Sequence, residues 1–146
     1  MARLPTAVTV VTAMGPDGPS GLTANAVASL SLDPPLMLAC LDRGARTLRA
    51  VEHAGRFGIS ELGSGHAQVA ERFSTKAPQA EKWNGIAWSE RRGIPALDEA
   101  LVWIGCELEN VLAGGDHVIV TGAVLEVEAH EGEPLVFYGG AYRPLG

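Results

Sequence analysis

A β-branched, apolar run at 7–14, AVTVVTAM, stops against Gly15-Pro16-Asp17-Gly18-Pro19-Ser20-Gly21, seven turn-forming residues in a row. This juxtaposition constrains the chain most, because the run has no helical period and its side chains favour pleated backbone, while a dense Gly/Pro cluster reverses direction. The expectation is a strand followed by a hairpin loop. Residues 22–31, LTANAVASLS, are small and weakly patterned, which suits a second strand and leaves a short helix open. Asp33-Pro34-Pro35 ends that segment, and the short apolar run LMLACL at 36–41 reads as a strand buried on both faces.

Two short helices interrupt the strands. Thr47 opens the first, with Leu48 and Val51 on one side and Gly55 as its C-terminal stop. FGISEL at 57–62 reads as a strand. Ser64 is placed to cap a second helix, on which Val69, Ala70 and Phe73 share a face. From Trp83 to Pro95 the pattern lapses into a surface excursion with a brief strand at 86–88. Alternation then returns. In 101–109 it puts Val102, Ile104, Cys106 and Leu108 on one face; in 117–129 it puts Ile119, Ala123, Leu125, Val127 and Ala129 against Glu126 and Glu128. PLVFY at 134–138 is the last strand. Many strands with two inserted helices predict a mainly β fold, an antiparallel Greek-key barrel, over alternating βα units.

The 146 residues predict one domain, 1–146, and 47% hydrophobic against 19% charged composition predicts a packed core. Net charge is −6 and the eleven Lys and Arg residues are scattered, which argues against a nucleic-acid partner. No window reaches the roughly 18 apolar residues of a membrane helix. Met1-Ala2-Arg3-Leu4-Pro5 lacks the apolar stretch of a secretion signal, so a cytoplasmic location is expected. Cys40 and Cys106 form no C-x-x-C pair and have no His at ligand spacing, so neither a metal site nor a disulfide is expected and both read as core thiols. His53, His66 and His130 read as solvent-facing, and Trp83, Trp88 and Trp103 as core or interface aromatics. Dinucleotide, P-loop, zinc-protease and nucleophile-elbow motifs do not occur.

What does occur is an ordered set of short segments. Pro5-Thr6-Ala7-Val8-Thr9-Val10-Val11-Thr12 resembles the opening strand of the flavin reductase family, whose fold is the FMN-binding split barrel and whose run reads P-T-G-V-T-V-V-T. Gly21-Leu22-Thr23-Ala24-Asn25-Ala26 and Ser29-Leu30-Ser31-Leu32-Asp33-Pro34-Pro35 are similar to its T-A-N-S and S-x-S-L-D-P-P segments. Cys40-Leu41-Asp42, Ala54-Gly55-Arg56-Phe57, Pro95-Ala96-Leu97, Gly115-Asp116-His117 and Pro134-Leu135-Val136-Phe137-Tyr138 follow in the family's order. Three positions depart from it: Ala7 replaces Gly, Ala26 replaces Ser, and Gly140-Ala141-Tyr142 stands where G-R-Y is usual.

The resemblance implies a split β-barrel homodimer that passes hydride from NADH or NADPH to FMN or FAD and supplies reduced flavin to a partner monooxygenase. It implies flavin contacts from Thr23, Ala24, Asn25, Ala26, Ser29, Leu30, Ser31, Cys40 and Tyr142. Compact side chains and backbone N–H groups suit close approach of a flat ring with a polar edge. Arg46 is placed to pair with the flavin phosphate, assisted by helix N-terminal amides near Thr47. His117 is the catalytic candidate, facing the nicotinamide or flavin edge as a positioning group. Taken singly, these residues have plainer explanations: Thr23 and Ser29 as strand hydroxyls, Arg46 as a solvated helix-start charge, His117 as a turn residue. Two alternatives stay open. One is a flavoprotein that retains FMN and reduces an organic substrate; the other is a non-catalytic flavin- or haem-binding module, for which Ala141 in place of Arg speaks.

Overall fold

In the computed structural model, which describes residues 3–146, the first hairpin is tighter than its turn cluster suggests. Met1 and Ala2, part of the N-terminal segment read above, lie outside the described residues. After a two-residue strand β1 (Thr6–Ala7), β2 (Thr9–Gly15) and β3 (Gly18–Ala24) pair with Gly15 opposite Gly18, so only Pro16 and Asp17 turn. Gly18 has φ 126°, which a side chain would resist. Pro19 sits inside β3 opposite Met14, and it is tolerated because β3 is an edge strand, where a missing N–H breaks no ladder bond.

β2 is apolar on both faces because both are covered. Val11 and Ala13 enter one core cluster; Val10, with Val8 just ahead of the strand, enters another. Thr12 is fully buried and donates its hydroxyl to the Pro95 carbonyl at 2.6 Å. The segment 22–31 is neither one strand nor a helix: the chain bends at Asn25-Ala26 and restarts as β4 (Val27–Leu32). A turn with a cis Asp33–Pro34 peptide returns it as β5 (Pro35–Asp42). Only Ala39 and Leu41 of β5 are buried, and Leu36, Met37, Leu38 and Cys40 stay part-exposed. The expected burial of both faces, and of Cys40, is corrected: the core covers β5 on one side only.

α1 (Arg46–Ala54) buries Thr47, Leu48, Ala50 and Val51 and ends at Gly55 with φ 70°, as its sequence requires. β6 (Arg56–Glu61) follows. α2 (Ala67–Ser74) begins after His66 and not at Ser64, whose N–H donates to the Glu133 carbonyl at 2.8 Å, so the chain there is still pairing with a distant segment. The expected surface excursion holds for residues 84–93, all exposed or part-exposed, but it follows α3 (Gln79–Trp83), and its brief strand is β7 (Trp88–Arg91), not 86–88, paired with β8 (Ile94–Leu97). Every residue of β8 is buried, and Trp83 and Trp103 are buried too.

β9 (Val102–Gly114) and β10 (His117–Ala129) form the longest hairpin, followed by β11 (Leu135–Tyr138) and β12 (Ala141–Pro144). Cys106 is buried in the core with Ile104 and Leu108 packed beside it, as alternation predicts, and burial pushes its thiol pKa up to about 12. β10 differs from expectation. Val118 and Val120 face the core, whereas Val127 is 56% exposed. Register shifts at Thr121/Gly122 and Val124/Glu126 break the single alternation assumed for it. Glu126 and Glu128 both pair with Arg91, whose guanidinium lies 4.4 Å from the Trp103 ring centre. His66 pairs with Glu99 and His130 with Glu128.

The seven-stranded sheet runs β3-β2-β6-β9-β10-β5-β4 with every pairing antiparallel. It curls round one core cluster that takes residues from β2, β3, β5, β6, β9, β10 and α1, while β3 and β4 remain as unpaired edges. This is an antiparallel barrel split between two strands. α2, α3 and β8 cover the outer face of β2 with a second cluster, which includes Phe73, Trp83 and Leu97. Among the described residues no helix is long and apolar enough to cross a membrane.

Candidate functional site

Where β5 gives way to α1, Asp42 makes the turn by accepting the Gly44 N–H on its Oδ1 at 2.7 Å and the Ala45 N–H on its carbonyl at 3.0 Å. Ala45 then precedes α1 with no side-chain cap, so the first-turn amides carry no side-chain partner. Thr47 is 1% exposed, its hydroxyl 2.8 Å from Ser20 on β3. Facing this helix start are the end of α2, the 75–78 connection and α3. Between them lies a cleft of about 560 Å³, with Leu22 and Thr23 of β3 in its wall.

The cleft is cationic. Arg46, Lys76 and Lys82 line it against one carboxylate, Asp42. Arg46 spans it, donating through Nη2 to the carbonyls of Lys76 at 3.2 Å and Ala77 at 2.6 Å. Lys82 is only 3% exposed and its Nζ donates to the Phe73 carbonyl at 3.2 Å and, at 3.5 Å, to that of Gly21. Burial, and secondarily the Arg46 charge, holds its pKa below the usual lysine value. Gln79 is fixed through its oxygen, which accepts the Gly21 N–H at 2.9 Å and the Trp83 Nε1–H at 3.2 Å. Three cations, Arg46, Lys76 and Lys82, beside an uncapped helix start suit a phosphate.

Of the residues named from sequence, Thr23, Arg46 and Thr47 line this cleft directly, although the Thr23 hydroxyl is engaged with the Ala70 carbonyl at 2.6 Å. Tyr142 packs on Phe137 outside the cleft lining, with burial raising its phenol pKa. His117 lies opposite Asp42 across the β5–β10 ladder, its Nδ1 2.7 Å from Asp116 Oδ1; that bond keeps the Asp116 carboxyl below its ordinary value. Asn25 and Ser29 line a separate pocket of about 160 Å³ with Thr9, Met37 and Glu61. Asn25 Oδ1 is buried there without a partner, and burial raises the Glu61 pKa. Ala24 is in the core. Ala26 accepts the Cys40 N–H at 2.8 Å, and Leu30 and Ser31 stand on β4, so these four line neither cavity.

Lys82 and Gln79 were not anticipated from sequence. They lie in a five-residue helix with no readable period, and a lysine gives no local sign of burial. The Ser74-Thr75-Lys76 run of hydroxyls and charge was the one available signal.

A small-molecule site of this size fits a flavin nucleotide. The cleft supplies cations for its phosphate, and the orphaned Asn25 oxygen marks a second place where a donor is missing.

Comparison with known proteins gives the same direction. The chain is 39% identical over 144 residues to the reductase subunit HsaB of a flavin-dependent monooxygenase from Mycobacterium tuberculosis, covering 96% of this chain and 76% of that one. Nitrilotriacetate monooxygenase component B from Mycobacterium thermoresistibile superposes with a TM-score of 0.93 at 34% identity, over 99% of this chain and 82% of that one. The NADH:FAD oxidoreductase SgcE6 of Streptomyces globisporus superposes with a TM-score of 0.91 at 31% identity, over 99% and 89%. The family model described as the flavin reductase like domain matches residues 1–146, and the chain belongs to that family.

Proposed function

We propose that this chain, acting as a single cytoplasmic domain that pairs into a homodimer, transfers hydride from NADH or NADPH to FMN or FAD and delivers the reduced flavin to a partner monooxygenase. The observation that carries this is the cationic cleft at the start of α1, in a chain whose relatives are named as monooxygenase reductase subunits and NADH:FAD oxidoreductases. The two cofactors supply the redox chemistry, a hydride donor and a ring that accepts it. The chain's own work is binding and orientation. Arg46 and Lys82 hold the phosphate, the α1 amides near Thr47 add donors, and His117, across the β5–β10 ladder from Asp42, positions the nicotinamide or flavin edge. No protein nucleophile is needed.

Anaerobic stopped-flow mixing of the protein with NADH and FMN, then FAD, is expected to bleach the flavin's visible absorbance; absence of bleaching with both flavins and both nicotinamides would exclude the activity. Retained yellow colour after dialysis would instead favour a bound-flavin enzyme.

The homodimer is supported by exposed apolar residues on β4 and near the β9–β10 tip. Leu30 and Leu32 of β4 are 48% and 88% exposed, and Val111 and Leu112 near the β9–β10 tip are 40% and 48% exposed. Light scattering should give about twice the 15.3 kDa chain mass, and the double change Leu30→Asp, Leu112→Asp should return it to the single-chain mass. A wild-type monomer would overturn the dimer.

A further inference from the structure

A second cleft of about 640 Å³ opens on the other side of Arg46, between the β2–β3 turn, α1 and α3. Arg46 and Gln79 line both clefts, so the two meet along one seam. The walls of this second cleft are of two kinds. Pro16 from the turn, Pro19 from the start of β3, and Ala80 and Trp83 from α3 present apolar surface suited to a flat base. Arg46, Arg49 and His53 project from one side of α1, against Asp17 as the single carboxylate in the lining. Both bonds that fix Gln79 use its oxygen, which leaves its amide nitrogen for an acceptor. Arg49 is spent only on the Gly44 and Ala45 carbonyls through Nη1, at 3.2 and 3.1 Å.

We propose that this cleft takes the adenosine-phosphate half of a dinucleotide whose pyrophosphate straddles Arg46. This rests on the flavin reading of the first cleft and extends it. FMN would fill the first cleft alone, whereas a dinucleotide would occupy both, with the base against Pro16, Pro19 and Trp83 and phosphate charge shared between Arg46 and Arg49. The shared chemistry is adenylate; FAD and NADH are its two sources. Each cleft lies within the roughly 300–1,000 Å³ range of small-molecule sites.

The probe is AMP, titrated calorimetrically into the full chain without flavin, followed by competition against FMN, FAD and NADH. Saturable AMP binding that competes with FAD or NADH but not with FMN is expected. Two exposed positions outside the first cleft test the walls: Arg49→Glu reverses charge and Ala80→Trp fills space. Both should weaken AMP roughly tenfold or more while FMN stays within about twofold. A parallel loss for FAD assigns the adenylate to the flavin; a raised KM for NADH with FMN as acceptor assigns it to the nicotinamide nucleotide. No AMP binding to the wild type, or unchanged AMP, FAD and NADH binding in both folded variants, overturns the proposal. Failure of FMN binding in the wild type would sink the first cleft's assignment separately, because the AMP titration is read without flavin.

Discussion

Replacing Lys82 by methionine is expected to leave a folded protein whose FMN affinity is lower by roughly 10- to 150-fold, the loss of a charge-assisted hydrogen bond of about 1.5–3 kcal/mol. The methionine keeps most of the buried stem, so the barrel should survive. In the free protein the ammonium has left water and has two backbone carbonyls in exchange, at 3.2 and 3.5 Å. Such a cation is poised to gain from an anion that enters the cleft. Lys82→Arg should recover part of the affinity; a purely structural lysine would show lost stability with FMN binding intact.

The pH dependence separates the two roles, because their signs are opposite. The folded-state pKa of Lys82 lies below the ordinary 10.5. Between that depressed value and 10.5 the unfolded chain holds the proton that the folded chain has lost, so Lys82 makes stability rise with pH across this window. Its cost to the fold is complete below the window. Flavin binding requires the charged form, so FMN affinity should fall as pH rises through the same window, starting before the ordinary lysine value is reached. Both slopes should be absent in Lys82→Met, as read by fluorescence titration and denaturant melts over a pH series.

Phe57→Ala should destabilise the chain by about 3–5 kcal/mol, a large part of the roughly 5–15 kcal/mol typical of a domain. Phe57 is fully buried, starts β6 beside Arg56, and its ring meets Gly122 on β10 from inside the barrel. A Cβ at Gly122 would stand 2.7 Å from the Phe57 ring and 2.7 Å from Cys106 Cβ, so the glycine is there for close approach. Gly122→Ala alone should cost about 1–3 kcal/mol through overpacking. In the Phe57→Ala background it should cost less, since one of its two obstacles is gone; denaturant midpoints of the four proteins measure that coupling. Strict additivity would mean that Phe57 and Gly122 do not share the contact.

Some of the molecule was legible because its signals are local. The reversal after Met14, the helix that ends at Gly55, and the alternation of Ile104, Cys106 and Leu108 each depend on residues a few positions apart. The family pattern from Pro5 to Tyr138 adds the split barrel, and it points to Thr23, Arg46 and Thr47, which line the cleft.

Other features depend on partners far along the chain. Ser64 looks like a helix cap until Glu133 claims its N–H, and the segment 83–95 looks like a loop until β8 is buried against β2, β6 and Trp103. Bulges in β10 turn over an alternation that sequence can only extrapolate. Lys82 becomes a buried cation in the cleft wall only because α3 packs across β3, and the division of Thr23 from Asn25 into two cavities follows from the bend that separates β3 from β4. Sequence by itself therefore determined the strand-rich barrel, its reversals and its family. Tertiary structure alone decided which side chains surround each cleft, because burial and charge environment arise from contacts between segments that carry no local record of one another.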